Sequence, residues 1–320
     1  MVRSRFRPLV RVCLLGWGCL PVMTGTCTAE PAGAAAVADK PAAAAPGEAK
    51  PAGVRVAYSL VIWDREMEAV VKAAGIEGHT VVKGPGLGTW HDIKGRKTLR
   101  PGAFDGLERG DCDTLLVATP SCYPSKETWA GQLGPDSTPA LICDAGVKNN
   151  PKFRLVWQTW FWAVPDRKDA KKLNMPLDNP GVVERLRGLE QLVDEINQKH
   201  GRQVMVVSPA AQATIAFVRM VDAGTFPGIT DPATLWNDVS MWQPGSHVRS
   251  LVQYCNLATM YGMSPIGLEP DFSAITFGGG KTPKGSFKDL APITDEQREI
   301  LQRLAWETVT GFPASGVKKP

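Results

Sequence analysis

Histidine is scarce in this chain: His79, His91, His200 and His247 are the four in 320 residues. Acid–base or metal chemistry built on imidazole has to draw on those four. The seven cysteines contain no CxxC pair, which removes the usual structural-zinc spacing. The Gly-rich stretch GPGLG, residues 84–88, is not followed by GK[ST] and does not follow the first strand, so it does not fit a phosphate-cradling loop. After residue 29 no apolar run is long enough to cross a bilayer. Acidic residues are missing from the first 29 positions.

That last absence carries information. Arg3, Arg5, Arg7 and Arg11 lie in the acid-free segment and account for the formal charge of +4; the remaining 32 basic residues match the 32 acidic ones. A balanced remainder argues against a nucleic-acid partner, which calls for a basic patch. The segment itself reads as a secretory signal over residues 1–29. A basic start leads into VCLLGWGCLPVM, residues 12–23, and then to small residues around Ala29. Secretion or periplasmic export is the expectation, with an uncleaved anchor as its rival.

Residues 30–53, EPAGAAAVADKPAAAAPGEAKPAG, cannot bury a core and read as a semi-extended linker. The folded domain is expected over 54–312, with a tail at 313–320. Within it, strand and helix patterns alternate. VRVAYSLV, HTVVKG, DTLLVAT, FRLVWQTWF and QVMVVSP read as strands. REMEAVVKAAG, a region around 125–149, GVVERLRGLEQLVDEINQKHG, AAQATIAFVRMVDAG, a stretch from about Ser246 to Tyr261, and TDEQREILQRLAWETVTG read as helices. Alternation of this kind predicts an α/β fold, a three-layer α/β/α sandwich around a parallel five-stranded sheet in flavodoxin-like order. One domain of this size is reasonable. Cys112, Cys122, Cys143 and Cys255 remain after the signal. In an oxidising compartment they allow one or two disulfides, and buried free thiols are the alternative.

Sites in such a sandwich lie at the carboxyl ends of the strands. That rule favours Ser59, the loop from Gly84 to His91, the segment after Ala118, Trp160 with Trp162, and the loop holding Asp238. Trp90, Trp160 and Trp242 suit a flat apolar or sugar ligand, or simply the core. The plainer readings stand beside these: Ser59 as a turn serine, Asp238 as a capping acid, His247 as a packed or capping residue.

A serine after the first strand, VRVAYSLV, combined with an aspartate in the late loop LWNDVSMWQPGSH resembles the SGNH (GDSL-like) hydrolases. GDCDTLLVAT, NNPKFRLVWQTW, GRQVMVVSPAAQATIAFVRMVDAGTFPGI and YGMSPIGL carry the same resemblance, in order, across about residues 54–268. It implies a secreted esterase-type hydrolase, with an acylated carbohydrate or another small molecule as substrate, no cofactor and no metal. It implies Ser59 as nucleophile, Gly86 or Gly88 (with Gly84 the third choice) as an oxyanion donor, and Asp238 as the acid of an Asp-x-x-His block. The chain departs from the pattern twice. TPSCYP after the third strand lacks the expected Asn, and Met241 stands where the His belongs. A serine hydroxyl needs a neighbouring base, and a thioether takes no proton. Activity therefore requires a displaced base, His247 or His91. The alternative is a non-catalytic relative that keeps the cleft for a carbohydrate or small ligand. A metal site built from Asp64, His91, Asp92 and Asp238 is a weaker third reading.

Overall fold

The computed structural model describes residues 50–59, 64–82, 105–119, 137–159, 164–165, 173–174, 180–236, 244–279 and 282–319. Five strands form one parallel sheet: β1 (Arg55–Ser59), β2 (Thr80–Val82), β3 (Thr114–Thr119), β4 (Arg154–Thr159) and β5 (Met205–Ser208). Their order is 2-1-3-4-5, and every adjacent pair is parallel. Fold class and strand order match the expectation from sequence.

The strands are apolar on both sides because both sides are covered. Successive side chains alternate between two separate cores. Val56, Leu116, Val156 and Val206 enter the first core; Ala57, Leu115, Val117, Leu155, Trp157, Met205 and Val207 enter the second. Helices α1 (Asp64–Ala73), α5 (Ala210–Asp222), α6 (Ser246–Tyr261) and α7 (Asp295–Gly311) build the first core. The second takes α2 (Asp105–Glu108), α3 (Thr138–Asn149) and α4 (Pro180–His200). Each fully buried Val, Leu or Ile contributes about 1.5–3 kcal/mol relative to exposure.

Helix α6 is the centre of the first core. Every residue from Ser246 to Met260 is buried. It contacts β4 and β5 on one side, α1 and α5 at its flanks, and α7 over its back. Its end at Gly262 needs a left-handed residue, φ 64°, which glycine adopts without a Cβ clash. Helix α7 starts with a capping box in which Thr294 and Gln297 satisfy each other's backbone N–H groups.

Some features add to the reading of the sequence, and some parts of that reading lie outside the described residues. The helix expected around 125–149 is described from Thr138, where Ser137 caps it and accepts from the Ala140 N–H. Two small antiparallel pairs, Val164–Pro165 with Leu173–Asn174 and Thr276–Gly279 with Thr282–Ser286, have no counterpart in the sequence reading. Chain packing continues past 312. Pro313–Ser315 form a short 3-10 turn whose Ala314 is buried in the second core. The signal and linker segments, 1–29 and most of 30–53, lie outside the described residues. Among the described residues no helix is long and apolar enough to cross a membrane.

Cys112, Cys143 and Cys255 are free and buried, so no disulfide forms among the described cysteines. Burial pushes the Cys112 thiol up to about 12 and also raises those of Cys143 and Cys255. These thiols behave as small apolar side chains.

Candidate functional site at the carboxyl edge of the sheet

All five strands point the same way, so their carboxyl ends share one edge. β1 finishes at Ser59, β3 at Thr119, β4 at Thr159 and β5 at Ser208. Connections run one way from β1 to β2 and the other way from β3 onward, so the order reverses between β1 and β3. Such a switch point opens a crevice in doubly wound sheets. Ser59 is the last residue of β1, in register with Val117 of β3. Its backbone therefore borders that crevice.

The segment carrying Asp238, Met241 and Trp242 lies outside the described residues, as do His91, Gly84, Gly86, Gly88, Trp90, Asp92, Trp160 and Trp162. The residues that flank 237–243 are described, and they form a neck. Trp236 and Pro244 pair in a single antiparallel bridge, and the Gly245 N–H donates to the Leu235 carbonyl at 2.7 Å. A Cβ on Gly245 would come within 2.9 Å of that carbonyl, so the close approach favours glycine. Below the neck, Arg249 in the first turn of α6 donates from Nε to the Pro244 carbonyl at 2.9 Å. Its Nη1 donates to Glu66 Oε1 of α1 at 2.7 Å. Both side chains are out of water, at 0 % and 3 % exposure. Desolvation lowers the Arg249 pKa, and the Glu66 carboxylate opposes that shift.

Further along the edge, polar side chains at the ends of β4 and β5 interlock with α6. Asn256 donates from Nδ2 to Gln158 Oε1 at 2.9 Å and to Gln253 Oε1 at 3.1 Å, while its Oδ1 accepts from Ser208 Oγ at 2.8 Å. Thr159 Oγ1 accepts from the Ala211 N–H at 3.0 Å, which fastens the start of α5, a helix with no side-chain cap of its own. Among the described residues, Gln158 Nε2, Gln212 Nε2 and Trp236 Nε1 are buried donors without a hydrogen-bond acceptor.

His247 is described, packed between aromatic rings and hydrogen-bonded to α7. It stacks on Phe217 (centroids 6.3 Å apart) and meets the edge of Phe226 (6.0 Å), and it is 4 % exposed. Its Nε2 is 3.0 Å from Gln297 Oε1. The amide of Gln297 cannot be turned round: its Oε1 accepts from the Thr294 N–H, and its Nε2 donates to the Pro227 carbonyl. Nε2 of His247 must therefore carry the proton. Nδ1 faces Ser246 Oγ at 3.3 Å, and Ser246 in turn donates to the Ala291 carbonyl. The chain Ser246–His247–Gln297 has the outline of a catalytic triad. It is buried throughout, its serine proton is committed to a carbonyl, and a neutral amide stands where an acid would be needed. It ties α6 to α7.

The other described histidines are also engaged. His79 bridges Tyr58 and Tyr261, with ring nitrogens 3.2 and 2.6 Å from the two hydroxyls. Burial lowers its pKa and pushes that of Tyr261 up to about 12. His200 Nε2 meets Asp144 Oδ1 at 3.1 Å at the end of α4. Among the described residues no three His, Cys, Asp or Glu side chains converge as a metal-binding group.

No family model and no curated protein matches the chain. Among solved structures, a DUF4886 family protein from Bacteroides uniformis is similar. It covers 82 % of this chain and 96 % of its own, at 11 % identity and a TM-score of 0.46. The parallel 2-1-3-4-5 sheet itself establishes the α/β fold.

Proposed function

We propose that this chain is an exported SGNH-type hydrolase-like protein whose carboxyl-edge crevice takes an ester-bearing ligand, an acylated carbohydrate being the leading class. The observation that carries the reading is the position of Ser59 at the end of β1, beside the strand-order reversal. There a hydroxyl can meet a carbonyl carbon while backbone N–H groups of neighbouring loops receive the oxyanion. Ser59 is the nucleophile in this reading and Asp238 the orienting acid. Gly86 or Gly88 supplies an oxyanion N–H, and Trp90, Trp160 and Trp242 supply ring platforms. With His247 engaged by Gln297, the base falls to His91. Export is inferred from the order basic, apolar, small along residues 1–29.

One pair of observations favours a second reading, a ligand-binding relative without catalysis. Met241 occupies the position of the expected base, and His247 is committed elsewhere. A fluorophosphonate serine probe separates the two. The hydrolase reading expects labelling that Ser59→Ala and His91→Ala both abolish. A folded protein that takes no label leaves the binding reading, to be pursued by quenching of tryptophan fluorescence with oligosaccharides.

A further inference from the structure

The ion pair of Glu66 and Arg249 joins two helix starts that flank the carboxyl edge. Glu66 lies in the first turn of α1, the helix that follows Ser59. Arg249 lies in the first turn of α6, the helix that follows the neck. One guanidinium grips α1 through Glu66 and the neck through the Pro244 carbonyl. Two charges this far from water are costly to bury. An apolar pair of similar volume often packs such a site equally well or better, so stability is a weak reason for the pair. What a guanidinium adds is direction. Its donors leave in a rigid plane, and charge-assisted bonds hold their partners to a narrow range of distance and angle. Apolar contacts repack and slip instead.

We propose that Glu66 and Arg249 are positioning residues: their ion pair holds the start of α1, just beyond Ser59, in fixed relation to the neck of the 237–243 segment. The proposal rests on the hydrolase-type reading, in which Ser59 and Asp238 are carried by those two elements. Neither Glu66 nor Arg249 touches substrate in it.

The test compares the wild-type protein with Glu66→Leu/Arg249→Met, an apolar replacement, and with Arg249→Lys, which keeps the charge and loses the fork. Three quantities are read: the melting temperature, the rate of fluorophosphonate labelling, and amide hydrogen exchange at residues 64–68 and 244–248. The expected result is a double variant that stays folded at the assay temperature, labels roughly tenfold or more slowly, and exchanges faster at both helix starts together. Arg249→Lys changes the last two in the same direction by less. A double variant that labels within about twofold of wild type, a shift too small to signal lost alignment, overturns the proposal. If wild type takes no label, the hydrolase reading fails, and exchange decides the positioning role alone: joint acceleration at both helix starts sustains it, and acceleration at one or neither overturns it. If the double variant does not fold, Arg249→Lys is judged by the same criteria.

Discussion

The Nε2–H of His247 points at Gln297 Oε1, and Gln297 is held in that orientation by Thr294 on one side and Pro227 on the other. The contact joins the first turn of α6 to the first turn of α7. It makes His247 a fastening between two helices, in a slot lined by Phe217 and Phe226. Replacing it with alanine empties that slot and frees one lone pair of Gln297. His247→Ala is expected to destabilise the fold by roughly 2–4 kcal/mol in urea denaturation, while probe labelling at 10 °C, where the variant is still folded, stays at the wild-type rate. Loss of labelling from a folded variant would restore His247 as a candidate base.

Stability should fall on the acid side of neutrality, with His79 and His247 as the cause. Desolvation lowers both pKa values from the ordinary 6.5. The unfolded chain then binds protons that the folded one refuses, so stability rises with pH in this range. Above the unfolded-state value the two rings cost nothing. The loss begins as pH drops below about 6.5 and levels off once pH is under the folded-state values. Urea midpoints at pH 7.5, 6 and 5 check this. His79→Gln, which can still bridge Tyr58 and Tyr261, should flatten the slope; an unchanged slope removes His79 from the account.

Asn256 and Ser208 share a hydrogen bond but should differ widely in cost. Asn256→Ala leaves Gln158, Gln253 and Ser208 each short of a buried partner, and is expected to cost roughly 3–5 kcal/mol. Ser208→Ala removes a single donor and leaves one acceptor of Asn256 open, for about 1–2 kcal/mol. Chemical denaturation of the two variants tests the ranking. Equal losses would mean that the cluster does not act as a network.

Cys143 and Cys255 should resist thiol reagents until the protein unfolds. Both are fully buried, and burial holds each thiol protonated. In a variant with Cys13, Cys19, Cys27 and Cys122 changed to serine, an aromatic disulfide reagent should find little to react with in buffer and three thiols in denaturant, Cys112 being the third. Rapid reaction in buffer would show that the two helices bearing them open locally.

Much of this architecture is legible in the sequence, and the reasons are local. Val56, Leu116, Val156 and Val206 alternate with residues of the other core in short apolar runs, which only a doubly covered sheet accommodates. Gly75 and Gly201, both with positive φ, close the helical stretches REMEAVVKAAG and GVVERLRGLEQLVDEINQKHG. The polar interior is another matter. Glu66 and Arg249 are 183 positions apart, and nothing near either one announces a partner. Arg249 is enclosed by Glu66 of α1 and the Pro244 carbonyl, contacts that only the fold supplies. His247 was caught between two readings because spacing gives the face of a helix, not what lies against it. The place of Ser59 at the end of β1 follows from the pattern of the first strand; His91 and Asp238, the residues proposed to act with it, fall outside the described residues.

α6 and α7 are the last two helices of the first core to be synthesised, and α6 has no solvent-facing side. β1 and α1 are synthesised long before Ser246, and until that helix appears their inner surfaces have no cover. Glu66 spends that interval without Arg249. A nascent or truncated chain ending before residue 246 should therefore be a client for chaperones that bind exposed apolar surface, and completion of the fold should await both α6 and α7.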